Sequence, residues 1–181
     1  MRWCAWSVAV VGLVAATAAA AELKSGLGKG EFVNAFNVVD VTGPAKGEEL
    51  CYRCKYGDRP VVCVFTKEMS SEVAELTKAI DGVVAKNEEA RMAGFVVVLD
   101  SSDKAAAACK DAASAQKIAK VPLTTSKESH GPASYKLNPE ADVTVMMWVD
   151  GAVKVSKGFQ KGQLKKDTIT ALVADTKQIL D

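Results

Sequence analysis

The chain has 181 residues, 23 basic against 22 acidic, a single histidine and a formal net charge of +1, and 49% of it is hydrophobic. That is the length of one domain with enough apolar content for one core. The near balance of charge argues against a nucleic-acid binder or a protein held on an anionic membrane surface.

Arg2 opens a short positive region, Trp3 to Val14 is almost wholly apolar, and Ala15 to Ala21 is small residues with one threonine. Polar sequence begins at Glu22. This is the layout of a secretory signal peptide ending at Ala19-Ala20-Ala21. The stretch is long enough to serve instead as an uncleaved anchor, but the small residues at its end favour cleavage. The expected organisation is a signal peptide over residues 1–21 and one domain over residues 22–181, exported to a periplasm or out of the cell. Arg2 and Cys4 leave with the signal. No later segment is apolar for long enough to span a bilayer.

Residues 23–30 are rich in glycine and lysine and read as irregular. Phe36 to Val41 has strand composition and Gly43-Pro44 marks a turn. Residues 46–58 read as a polar connection, and they carry Cys51 and Cys54 among Tyr52, Arg53, Lys55 and Tyr56. Pro60 to Thr66 is a continuous β-branched run, the mark of a strand buried on both faces. Val73, Leu76, Ile80 and Val83 recur at helical spacing, with Ser70 or Ser71 as N-cap. Phe95 to Leu99 is a second buried strand, and an alanine-rich helix follows from Lys104 to Ile118. Val121 to Thr124 is short and extended, and residues 125–141 form a connecting excursion. Val143 to Val149 and Ala152 to Phe159 flank Asp150-Gly151, a two-residue hairpin signal. Ile169, Leu172, Val173, Thr176, Ile179 and Leu180 line one face of a last helix. Alternating strands and helices predict an α/β fold with a parallel sheet, closed by an antiparallel hairpin.

Four of these stretches, in this order, resemble the thioredoxin-like superfamily, and more narrowly its peroxiredoxin and periplasmic thiol–disulfide oxidoreductase branch. They are Phe36 to Gly43 (opening strand and turn), Pro60 to Phe65 (central strand), Val121 to Thr124, and Val143 to Gly158 (final hairpin). The resemblance covers residues 32–180. It implies a three-layer sandwich, a mixed central sheet with a C-terminal β-hairpin, and a final helix. It also implies a reactive cysteine at the helix start after the central strand, where the helix dipole and free N–H groups stabilise a thiolate. Thr66-Lys67-Glu68-Met69-Ser70-Ser71-Glu72 stands there and holds no cysteine. The family's cis-proline is replaced by Asp142-Val143-Thr144, where a trans bond is expected because a non-proline cis bond costs about 2.5–4 kcal/mol.

The remaining chemistry rests on cysteines. Cys63, inside Val61 to Phe65, and Cys109, after Ala105 to Ala108, read as small buried hydrophobes. Cys51 and Cys54 are the candidate site, at the opposite end of the domain from the family's helix-start position. Three readings stand: a structural disulfide in an oxidising compartment, a redox pair whose thiolate Arg53, Lys55 and Arg59 favour, or a soft-metal site. The leading expectation is thiol–disulfide handling with a protein thiol or disulfide as partner. The rival is a non-catalytic binding or structural domain. His130 reads as a surface residue, Asp100 as a turn or cap, and the lysines at 161, 165 and 166 as a solvated helix start. No P-loop, GxGxxG, HExxH or Ser/His/Asp set is present, so no cofactor is called for. N-terminal sequencing of protein recovered outside the cytoplasm should read from Glu22, whereas a retained Met1 would make the segment an anchor.

Overall fold

The computed structural model describes residues 23–180, and the expected signal peptide lies outside them. Seven strands form one sheet: β1 (Val38–Asp40), β2 (Glu49–Leu50), β3 (Val61–Thr66), β4 (Ala93–Val98), β5 (Leu123–Thr125), β6 (Val143–Val149) and β7 (Ala152–Phe159). Their order across the sheet is β2-β1-β5-β4-β3-β6-β7. The inner pairs β3·β4 and β4·β5 are parallel, and all other pairs are antiparallel. The helices are α1 (Tyr52–Tyr56), α2 (Ser71–Lys86), α3 (Asp103–Gln116) and α4 (Lys166–Asp175), with 3-10 turns at Ala133–Tyr135 and Thr176–Ile179.

Every residue of β3 and β4 is buried, as their unbroken apolar runs require. Val62, Val64, Val96 and Val145 face one side. There they meet Val73, Leu76 and Ile80 of α2, Cys109 of α3, and Ile169 and Leu172 of α4. α2 and α3 lie on this side because β3, β4 and β5 step across the sheet in one direction, and right-handed crossovers put successive helices on one face; α4, after β7, packs its Ile169 and Leu172 there too. Val61, Cys63, Phe65, Phe95 and Trp148 face the other side. That face is covered by α1, by the segment around Leu27 and Val33, and by Tyr135. The result is a three-layer sandwich whose second outer layer is mostly short or irregular chain.

Three expected boundaries tighten. The N-cap of α2 is Ser70, whose hydroxyl accepts the Val73 N–H at 3.3 Å. The Asp150-Gly151 turn has positive φ at both residues, 54° and 74°, the geometry of a type I′ hairpin. The connection over residues 46–58 is not irregular: it contains β2 and α1. Its helix was hidden in a polar stretch, where one pair of tyrosines four residues apart is too short a pattern to stand out.

Asp81 holds the loop between α3 and β5. It is 5% exposed, and one carboxylate oxygen accepts the N–H groups of Ala119, Lys120 and Val121 at 3.0, 2.6 and 3.1 Å. Asp81→Ala would strand three backbone donors. Urea unfolding should show a loss of about 3 kcal/mol, the scale for removing hydrogen bonds to a charged group.

Candidate functional site: the helix that carries Cys51 and Cys54

Cys51 is the N-cap of α1 and Cys54 lies within it, and the two form a disulfide with their Cα atoms 5.2 Å apart. The backbone N–H of Cys54 donates to the Cys51 sulfur at 3.0 Å. Cys54 is exposed and Cys51 half-buried. A five-residue helix is far too short to be stable by itself. What keeps it in place is the pair Tyr52 and Tyr56, one turn apart and both buried. The Tyr52 ring stacks on Phe95 at 5.5 Å, and the Tyr56 hydroxyl donates to the Gly94 carbonyl at 3.4 Å.

Asp40, only 1% exposed, is the hub beneath the helix. Its carboxylate accepts the Tyr52 hydroxyl at 2.8 Å, the Gly43 N–H at 2.7 Å and the Ala45 N–H at 2.8 Å. A side chain at Gly43 would place a Cβ 2.5 Å from the Tyr52 oxygen and 2.6 Å from the Asp40 carboxylate, so only glycine fits. Burial, reinforced by the Asp40 carboxylate, pushes the Tyr52 phenol well above its ordinary range. It therefore stays a hydrogen-bond donor at any working pH. Burial does the same to Tyr56.

The position where related folds keep a reactive cysteine is occupied differently. After β3 come Ser70 as cap and Ser71-Glu72 as the first helical residues, with no thiol. No cis peptide bond occurs among the described residues, so the expected trans bond before Val143 is present. A cavity of about 360 Å³ lies there, between Phe65, Lys67, Leu99, His130, Leu137 and Asp142. The Lys67 ammonium is committed to the Pro139 carbonyl at 2.8 Å and faces Asp142 at 3.7 Å. The disulfide helix shares none of these residues. It rests on the sheet face over the first half of β4 and reaches toward the β6–β7 turn. The sequence expectation placed the pair at the end of the domain opposite the helix start; α1 packs on Gly94 and Phe95, at the beginning of β4, held on the sheet face by its tyrosines.

No family model matches the chain, and no curated protein does. Solved structures do. A protein assigned as thiol:disulfide interchange protein DsbE from Chlorobium tepidum superposes with a TM-score of 0.66 at 15% identity, over 86% of this chain and 99% of that one. A protein assigned as a disulfide isomerase from Bacteroides thetaiotaomicron gives 0.65 at 14% identity, over 87% and 94%. Peroxidoxin BcpB from Mycobacterium tuberculosis gives 0.57 at 19% identity, over 83% and 97%. The fold is thioredoxin-like. At these identities the likeness is one of architecture. This thioredoxin-like chain has a Cys-x-x-Cys outside the helix start that follows its central strand.

The other sequence candidates take structural places. Asp100 accepts the N–H and hydroxyl of Ser102 at 2.8 and 2.9 Å, bonds that hold its carboxyl below the ordinary range. His130 is exposed beside the Ser129 hydroxyl, at the cavity's edge. Lys165 is the N-cap of α4, and Lys161 pairs with Glu68. No cluster of three or more metal-ligating side chains occurs among the described residues. The Asp40–Tyr52–Gly43 hub was not anticipated. Its one sequence trace is an aspartate inside a strand-like apolar run.

Cys63 and Cys109 are both fully buried and unpaired. Burial raises the Cys63 thiol well above its usual range and pushes Cys109 up to about 12. Neither should react with iodoacetamide at pH 8 in the folded protein, and both should be labelled at once in denaturant. Rapid native labelling of either would contradict this burial.

Proposed function

We propose that this is an exported thiol–disulfide exchange protein that works through Cys51 and Cys54. The observation that carries the reading is a surface disulfide between an exposed residue, Cys54, and a half-buried one, Cys51, whose sulfur accepts a backbone N–H. The signal-like N-terminus supports an oxidising compartment, where such a bond persists.

The asymmetry gives the exchange a direction. A partner thiolate attacks the Cys54 sulfur, the Cys51–Cys54 bond breaks, and Cys51 departs as the thiolate, steadied by the Cys54 N–H. A second partner thiol then attacks the mixed disulfide, its own sulfur joining the first and releasing Cys54. The partner dithiol becomes a disulfide, and this pair takes up two electrons and two protons. The reverse sequence reduces a partner disulfide, and the relative potentials choose between them. Arg53 and Lys55, the basic residues of α1, favour the thiolate form.

The cavity beside Phe65 and Lys67, at the C-terminal end of β3, favours a second reading, a thioredoxin-like binding domain whose disulfide only holds α1 in place. A redox titration with thiol counting separates the two. The exchange reading expects a reduction potential above about −300 mV, the region of labile and catalytic disulfides. It also expects disulfide transfer to be lost in Cys51→Ser and in Cys54→Ser. A disulfide that resists the titration and transfers to no thiol would give the function to the binding reading.

A further inference from the structure

Phe32 and Arg53 meet at the β6–β7 turn. Phe32 is a large hydrophobic residue left 66% exposed. Arg53 sits between the two cysteines, and its Nε donates to the Val33 carbonyl at 3.2 Å. That bond carries the guanidinium to the β6–β7 turn. A Cβ built on Gly151 would lie 2.7 Å from Arg53 Nη2 and 3.7 Å from Phe32 Cδ1. The ring and the guanidinium therefore pack over the same buried glycine, and the ring keeps its outer side in solvent.

Three cations, Arg53, Lys55 and Arg59, belong to this stretch. The Lys55 ammonium stands 5.6 Å from the centre of the Tyr52 ring, and the Arg59 guanidinium 5.9 Å from that of Tyr56. Among the described residues, none of these three cations pairs with a carboxylate. Of the nearby acids, Asp58 is taken by Arg91 at 2.6 Å and Glu31 by Lys136. Asp150 lies on the turn itself and Glu48 three residues before Cys51, and both are acids that oppose this charge.

We propose that this rim docks an acidic, cysteine-bearing segment of a partner protein, with an apolar side chain of the segment on Phe32 and its carboxylates on Arg53 and Lys55. The proposal rests on the exchange reading of Cys51 and Cys54. An exposed aromatic beside an arginine is the composition of an interface anchor. Unpaired cations around a reactive bond speed the encounter with an anionic partner and turn away a cationic one. Because Arg53 lies inside the Cys-x-x-Cys, a segment held there brings its thiol to Cys54, the more exposed of the two cysteines.

The test uses the oxidised mature protein and three reductants: dithiothreitol and two synthetic Cys-x-x-Cys dithiol peptides. One peptide carries a leucine and flanking glutamates, and the other the same leucine and flanking lysines. Each peptide dithiol is oxidised to its disulfide as Cys51–Cys54 is reduced, and acid-quenched alkylation counts the thiols. The acidic peptide should react about tenfold faster than the basic one at low ionic strength. The gap should close in about 0.5 M salt, where charges are screened within a few ångströms. Arg53→Gln should shrink the acidic preference. Phe32→Ala should lower the acidic peptide's rate relative to that variant's own dithiothreitol rate. If dithiothreitol reduces the bond but the two peptides react alike, the docking surface is overturned and the exchange reading stands. If dithiothreitol cannot reduce it, the exchange reading fails and takes this proposal with it. A concentration-dependent dimer in sedimentation, abolished by Phe32→Asp, would overturn the proposal in favour of a second copy of the chain.

Discussion

A sheet whose central strands are apolar on both sides must be covered on both sides. β3 and β4 impose that constraint here, with every residue of each buried. The crossovers β3–α2–β4 and β4–α3–β5 can cover only one face, since both turn the same way. The opposite face, with Cys63, Phe65, Phe95 and Trp148, needs another cover. Tyr52 and Tyr56 provide part of it, and those two residues are the reason α1 exists. The disulfide is therefore tied to the core through its own intervening residue.

That linkage gives the motif an unusual setting. In the thioredoxin-like arrangement a reactive thiol is activated by a long helix that starts beyond the central strand. Here that helix start is capped by a serine hydroxyl and followed by Glu72, whose carboxylate already takes the place of an anion at the dipole. The Cys51–Cys54 pair stands elsewhere, with one backbone N–H on the Cys51 sulfur, the basic residues Arg53 and Lys55 in its helix, and a stiff support. Asp40 supplies that stiffness: a buried carboxylate accepting three donors joins the turn after β1 to the helix. Breaking one arm of such a hub leaves a charge under-solvated, so its members are coupled. The same anchoring leaves Arg53 directed away from the tyrosines, toward the hairpin turn and Phe32.

The contrast among the four cysteines of the described residues follows from burial. Cys63 and Cys109 fill core space, and desolvation raises both thiols. Cys54 is exposed and Cys51 half-buried. Of four chemically identical side chains, the fold withdraws two and presents two.

Much of the architecture was legible in the amino-acid sequence because it rests on local patterns. Val61 to Phe65 can only be a strand buried on both faces. The 3.6-residue period of Val73, Leu76 and Ile80 specifies a helix with one apolar side, and Asp150-Gly151 specifies a tight hairpin. The missing helix-start thiol and the pairing of Cys51 with Cys54 could also be read, since both depend on residue type and short spacing. What only the tertiary structure decided lies in contacts between residues far apart in the chain. Asp40 meets Tyr52 across 12 residues, Tyr56 meets Gly94 across 38, and Phe32 meets the turn at Gly151. A five-residue helix has no period of its own to detect. It forms because Phe95 and Asp40 stand where its tyrosines can reach them, and their positions are set by strand order and register rather than by any neighbouring residue.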